Sequence, residues 1–93
     1  MHVRWTESAS NDLRGITRYI RKDNPAAARA VAKATLDAAD SLSIFPLRGR
    51  EGRIAGTHEL VVPRLPYIAV YRVTATAIQI LHIYHGAQNW PEE

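Results

Sequence analysis

The spacing of hydrophobic and polar positions changes several times along this chain, and each change predicts an element. His2-Val3-Arg4-Trp5 alternates, which predicts a short strand with Val3 and Trp5 on one face. From Ala9 the period lengthens. Ala9, Leu13, Ile16 and Ile20 recur at spacings of four, three and four, the apolar stripe of an amphipathic helix. Thr6 is placed to cap that helix, and Glu7 occupies its first turn, where the helix dipole favours a carboxylate. Arg14, Arg18, Arg21 and Lys22 lie off the stripe and form a solvated basic flank.

Asp23-Asn24-Pro25 ends the first helix and starts a second, with Asn24 as N-cap and Pro25 at the first helical position. The second helix is expected to run through Ala26 to about Ser43. Its inward stripe is Ala28, Val31, Ala32, Thr35, Ala39 and Leu42, with Leu36 alongside, and Phe45-Pro46 stops it. Two helices joined this tightly read as an antiparallel hairpin. Pro46 to Gly56 reads as a loop carrying Arg48, Arg50 and Arg53. Three strands follow, Thr57 to Val62, Tyr67 to Thr74 and Ala77 to Tyr84. Pro63-Arg64-Leu65-Pro66 makes the first turn, with proline outside the ladders. In the last strand Ile78 and Ile80 are expected to point one way and Leu81 and Ile83 the other, the mark of a central strand. The order β-α-α-β-β-β defines a single α+β domain over residues 1–93, a helical hairpin packed on one face of a small, mainly antiparallel sheet. Too few residues remain to cover the second face, so its apolar side chains are expected to be exposed or covered in trans.

Composition narrows the classes. Ninety-three residues, 46% of them hydrophobic, suffice for one modest core and exclude a disordered chain. The absence of cysteine excludes a disulfide framework or a thiolate zinc site and suits a reducing cytoplasm. Met1-His2-Val3-Arg4-Trp5 lacks the apolar stretch of a signal peptide, and the apolar segments are too interrupted to span a bilayer. A cytoplasmic location is therefore expected. The net charge of +3 rests on ten arginines and two lysines, a bias that suits phosphate or carboxylate partners.

Several stretches together carry a resemblance. They are Trp5-Thr6-Glu7-Ser8-Ala9 with Asp12-Leu13, Asn24-Pro25-Ala26-Ala27-Ala28, and Pro46-Leu47-Arg48-Gly49-Arg50. Gly56-Thr57-His58-Glu59-Leu60-Val61-Val62, Pro66-Tyr67-Ile68-Ala69-Val70-Tyr71-Arg72-Val73 and Ile80-Leu81-His82-Ile83-Tyr84-His85-Gly86-Ala87-Gln88-Asn89-Trp90-Pro91 complete the set. In this order and spacing they resemble the RelE/ParE superfamily of type II toxins. The resemblance implies a small basic toxin encoded beside an antitoxin whose disordered segment wraps it. One branch of the superfamily cleaves mRNA on the ribosome. The other, ParE-like, poisons DNA gyrase and is not a nuclease.

Cleavage of RNA through its 2′-hydroxyl needs a base, a cation for the phosphorane charge and an acid for the leaving oxygen. His85 stands at the C-terminal position matching the nuclease histidine, and an imidazole suits acid–base work near neutral pH. Arg64 and Arg72 are the candidate cations. Against this, Ile68 replaces the central-strand arginine the nuclease branch implies, and Gly86 stands where some nuclease members place a tyrosine. The segments Pro-Tyr-Ile-x-x-Tyr-Arg-Val and His-Gly-x-Gln-x-Trp-Pro resemble the ParE-like side more closely. His58 departs from the arginine many relatives carry before Glu59-Leu60.

The resemblance thus implies an antitoxin partner and DNA gyrase as target. The alternatives are a ribosome-dependent mRNA endonuclease, and an inactive relative that only binds antitoxins. Arg48, Arg50, Arg53, His58, Gln88 and Trp90 are the expected target or antitoxin contacts, and the basic surplus is expected to face the antitoxin first. No metal or other cofactor is expected, because His82 and His85, three apart on a strand, point to opposite faces. Trp5, Tyr67 and Tyr71 read as core residues, and Trp90 as an anchor of the tail.

Overall fold

The computed structural model describes residues 1–88, 90 and 91. Its seven elements are β1 (His2–Trp5), α1 (Glu7–Arg21), α2 (Pro25–Ser41), β2 (Arg50–Glu51), β3 (His58–Val61), β4 (Tyr67–Val73) and β5 (Ala77–His85). Capping fixes both helix starts. The Thr6 hydroxyl accepts from the Ala9 N–H at 3.1 Å and donates to the Ile80 carbonyl at 2.9 Å, so one side chain starts α1 and ties it to β5. Asn24 accepts from the Ala27 N–H at 3.0 Å, and Pro25 opens α2. α2 ends at Ser41 rather than near Ser43. Its last turn tightens to three-residue bonds such as Leu42 N–H to Ala39 O at 3.1 Å.

The sheet runs β1-β5-β4-β3-β2, antiparallel except for the parallel β1–β5 pair. This is the expected α+β architecture with one added strand. β2 falls inside the stretch read as a loop, where Arg50 pairs with Glu59 and Glu51 with His58. Neither residue carries an apolar signal, because an ion pair rather than buried surface holds this strand.

Both helices pack on one face. Ala9, Ala38, Ala39 and Leu42 meet Leu60, Val62, Ala69, Tyr71, Ile78, Ile80 and Ile83, and Trp5, Leu13 and Ile16 close the edges. Each fully enclosed Leu, Ile or Val contributes about 1.5–3 kcal/mol. The α2 stripe is rotated slightly from expectation. Ala38 is buried, while Leu36, one step round the helix from Thr35, is 43% exposed.

Two further corrections concern the sheet. Ile83 faces the helices with Ile78 and Ile80, not away from them. The ladder pairs Val70 with His82 but Tyr71 with Ile80, so Leu81 is an extra residue that reverses the alternation beyond it. The second face is also not bare. Ile68, Val70 and Tyr84 are buried there, with Leu81 and Trp90 packed on them. Ile54 to Thr57 border the same recess, so cover comes from within the chain. The exposed apolar surface lies elsewhere, at Ile44, Phe45 and Leu47 just beyond α2. No helix among the described residues is long and apolar enough to cross a membrane.

Candidate functional site

A buried polar network organises the arginine-bearing segment. Glu59 is only 2% exposed, yet its carboxylate is fully partnered. It accepts from Arg50 Nη2 at 3.0 Å, from the Arg53 backbone N–H at 3.1 Å and from the Tyr84 hydroxyl at 3.3 Å. Burial pushes the carboxyl upward, but the Arg53 N–H, the Arg50 guanidinium and the Tyr84 hydroxyl outweigh it and hold Glu59 below the ordinary carboxylate value. Burial and then the neighbouring Glu59 charge push the Tyr84 phenol up, so it remains a donor. Arg53 adds a second anchor by donating to the Trp90 carbonyl. The Trp90 ring stacks on Tyr84, with centroids 5.3 Å apart and planes 21° apart.

Tyr71 fixes the start of the same segment from the other face. Its hydroxyl donates to the Pro46 carbonyl at 2.8 Å and accepts from the Gly49 N–H at 2.9 Å. Gly49 is required here. A Cβ would stand 2.8 Å from the Tyr71 hydroxyl and 2.8 Å from the Glu59 carbonyl oxygen. His58 stacks on Tyr71 with ring centroids 5.3 Å apart. Arg48 donates to Ser41 Oγ at 3.0 Å and borders the exposed Ile44, Phe45 and Leu47. Arg48, Arg50, Arg53 and His58 therefore occupy one continuous region, with Trp90 joined to it through Arg53.

His85 and Gln88 lie at the far end of β5. Gln88 Oε1 accepts from the His85 backbone N–H at 2.7 Å, and His85 Nδ1 accepts from the Ala87 N–H at 3.0 Å. The neutral imidazole therefore carries its proton on Nε2. Arg64 occupies the turn at this same end, since Tyr67 pairs with His85 and Gly86 N–H reaches Pro66 O. Arg64 has φ of 66°, a left-handed backbone that follows Pro63 in a turn closed by Leu65 N–H to Val62 O. Arg72 is not with them. It pairs with Gln79 at the opposite end of β4, about 17 Å along the strand from Tyr67. Its guanidinium donates to Gln79 Oε1 at 3.1 and 2.7 Å, and it lies on the second face, beside Val70. His85 packs against Tyr67 on the helix face.

Two polar groupings are not visible in the sequence. Glu59 follows His58 as an ordinary polar position at the start of a strand, and its burial shows only once Arg50 is paired opposite it. Asp12 on α1 meets β5 at two points, accepting from the Ile83 N–H at 3.0 Å with His82 Nδ1 at 3.2 Å. Trp90 tilts over the His82 ring at 4.8 Å. The interval of 70 residues hides that pair from local pattern. Among the described residues no three His, Asp or Glu side chains converge as a metal site.

A two-helix hairpin on one face of a five-stranded mixed sheet, with a basic segment latched across its edge, defines the fold of a type II toxin. The chain belongs to the ParE toxin family of type II toxin–antitoxin systems, whose family model matches residues 3–90. It is 42% identical over 90 residues to the candidate toxin Y4kP of Sinorhizobium fredii, covering 97% of this chain and 93% of that one. It is 38% identical over 86 residues to toxin RelE2 of Caulobacter vibrioides, covering 92% and 96%. Among solved structures, the chromosomal ParDE system of P. aeruginosa superposes with a TM-score of 0.84 at 27% identity, covering 91% of this chain and 95% of that one.

Proposed function

We propose that this toxin acts by binding and inhibiting DNA gyrase, and that a cognate antitoxin neutralises it. The observation that carries the first part is the separation of Arg72 from His85, on opposite faces and at opposite ends of β4–β5. Ile68, where the nuclease branch implies a cation, is buried beneath the tail and is 7% exposed. An RNA phosphorane would thus meet an incomplete set of charges. The ParE family match supports the same reading. Purified protein should inhibit gyrase supercoiling and stabilise cleaved DNA. No effect at any concentration, alongside toxicity in cells, would overturn the proposal.

The antitoxin reading rests on the similarity to the ParDE system and on the apolar surface of Ile44, Phe45 and Leu47 beside Arg48. An amphipathic segment with apolar and acidic side chains fits that combination. Such a toxin would act in the cytoplasm, where its target resides.

A second reading keeps His85 as acid–base with Arg64 as cation, because both stand at one end of the sheet. The similarity to toxin RelE2 favours it. Ribosome-dependent mRNA cleavage in a translating extract, lost in His85→Ala, would support this reading over gyrase inhibition.

A further inference from the structure

We infer that the outer face of α1 binds the phosphodiester backbone of duplex DNA, separate from the segment that carries Arg48 to Arg53. Arg14, Arg18, Arg21 and Lys22 recur at three- and four-residue spacing and are all exposed. At 100° per residue they span about 100° of the helix circumference, opposite the apolar stripe of Ala9, Leu13, Ile16 and Ile20, of which Ala9 is buried and the other three partly buried. Among the described residues none of the four has a carboxylate partner, and the nearest acid in sequence is Asp23, beside Lys22. The protein's other arginine-rich stretch differs, since Arg48, Arg50 and Arg53 each hold an internal hydrogen bond.

Gly15 supplies an independent observation. It lies inside α1, exposed among these cations, and a Cβ there would meet nothing within 4 Å. A mid-helix glycine weakens a helix, and nothing in the chain requires one here. The bare backbone instead permits a close approach from outside, flanked by guanidinium groups.

The chemistry of that face selects a phosphodiester backbone over a protein. Protein interfaces use arginine too, but set it among apolar and aromatic anchors at a centre otherwise depleted of charge. The row from Arg14 to Lys22 is charged at its centre, and only Tyr19, 74% exposed, offers a ring at its edge. The apolar anchors of this protein, Ile44, Phe45 and Leu47, lie elsewhere. Eight residues of helix span about 12 Å, the rise of three to four phosphates along one DNA strand. This inference does not depend on which target the toxin inhibits.

The test is fluorescence anisotropy of the purified full chain against a 20-bp DNA duplex and a 20-nucleotide RNA over a salt series. Four phosphate contacts predict a slope of log K against log salt of about −3.6 on duplex and about −2.8 on single strand. Duplex affinity should therefore fall roughly 100-fold between 50 and 200 mM salt. Arg14→Gln with Arg18→Gln should remove about two units of slope, whereas Arg48→Gln should leave it unchanged. Gly15→Leu should weaken binding at least about tenfold with no change of charge, while Gly15→Ala raises the melting temperature. Unchanged slope and affinity in the Arg14/Arg18 variant would overturn the inference. So would equal binding by Gly15→Leu, or competition by poly-glutamate as strong as by duplex. RNA bound more tightly than the duplex at 50 mM salt would likewise overturn it.

Discussion

Arg50 and Glu59 stand directly opposite each other across the β2–β3 ladder, and their side chains meet at 3.0 Å with the carboxylate enclosed and the guanidinium half-exposed. The pair is therefore asymmetric. Removing the arginine strands a buried charge with only the Arg53 N–H and the Tyr84 hydroxyl as partners, whereas neutralising the glutamate leaves an arginine that water can solvate. Arg50→Met should destabilise the protein by about 1–3 kcal/mol, but by under about 1 kcal/mol when Glu59→Gln is already present. A double-mutant cycle by urea denaturation measures the difference. Additive effects would show that the pair does not hold the segment.

The same carboxylate gives a pH dependence of known sign. Its folded pKa lies below its ordinary value of 4.5, so it stabilises the fold above that pH. That contribution is lost as pH falls from about 4.5 through the folded-state pKa. Acid unfolding of the wild type should be steeper in this window than that of Glu59→Gln. Parallel acid limbs for the two proteins would count against an ionised Glu59.

What was legible in the sequence follows from range. Thr6 with Glu7, and Asn24 with Pro25, announce helix starts through contacts within three residues, so both helices were placed from pattern alone. The β4–β5 hairpin was similarly local. β2 was not, because two exposed residues become a strand only through partners nine and seven residues along the chain. Simple alternation puts Ile83 on the wrong face, because the extra residue at Leu81 is a property of the ladder with β4. The covered second face depends on Trp90 and the Ile54–Thr57 loop returning from opposite directions. The arginines of the candidate site are visible as charge, but Glu59, which holds the Arg50 side chain and the Arg53 backbone, reads in sequence as one more polar residue beside His58.

Tyr71 offers a second handle on the same segment. Burial pushes its phenol up, against the opposing hydrogen bond from Gly49, so the hydroxyl stays protonated and bridges Pro46 and Gly49. Tyr71→Phe should leave that carbonyl and N–H without partners and cost about 1–3 kcal/mol. Gly49→Ala should be at least as harmful, since its methyl group would overlap both Tyr71 and the Glu59 carbonyl. Thermal melts of both variants test this. A Tyr71→Phe melting temperature equal to wild type would remove the bridging role.

Arg64 holds a left-handed backbone that glycine adopts without steric cost. Relief of that strain, about 1–2 kcal/mol, is partly offset by the greater freedom of glycine in the unfolded chain. Arg64→Gly should therefore stabilise the protein by about 0.5–1 kcal/mol. The same variant separates the two proposed mechanisms. Gyrase inhibition should persist, whereas mRNA cleavage dependent on an Arg64 cation should be lost.

The surface beyond α2 gives the last prediction. Phe45 and Leu47 are 61% and 71% exposed, so they contribute little to the fold of the isolated chain. Replacing both with serine should change stability by no more than about 0.5 kcal/mol per site. If this patch receives the apolar side of an antitoxin segment, the double variant should bind antitoxin at least about tenfold more weakly, the loss expected from leaving two anchors unfilled. Titration calorimetry against the purified antitoxin measures that loss. Co-expression gives a second readout, because a variant that folds and remains toxic but escapes neutralisation must have lost the interface rather than the fold. Unchanged affinity would move the antitoxin site away from Ile44–Arg48 and toward another face of the toxin.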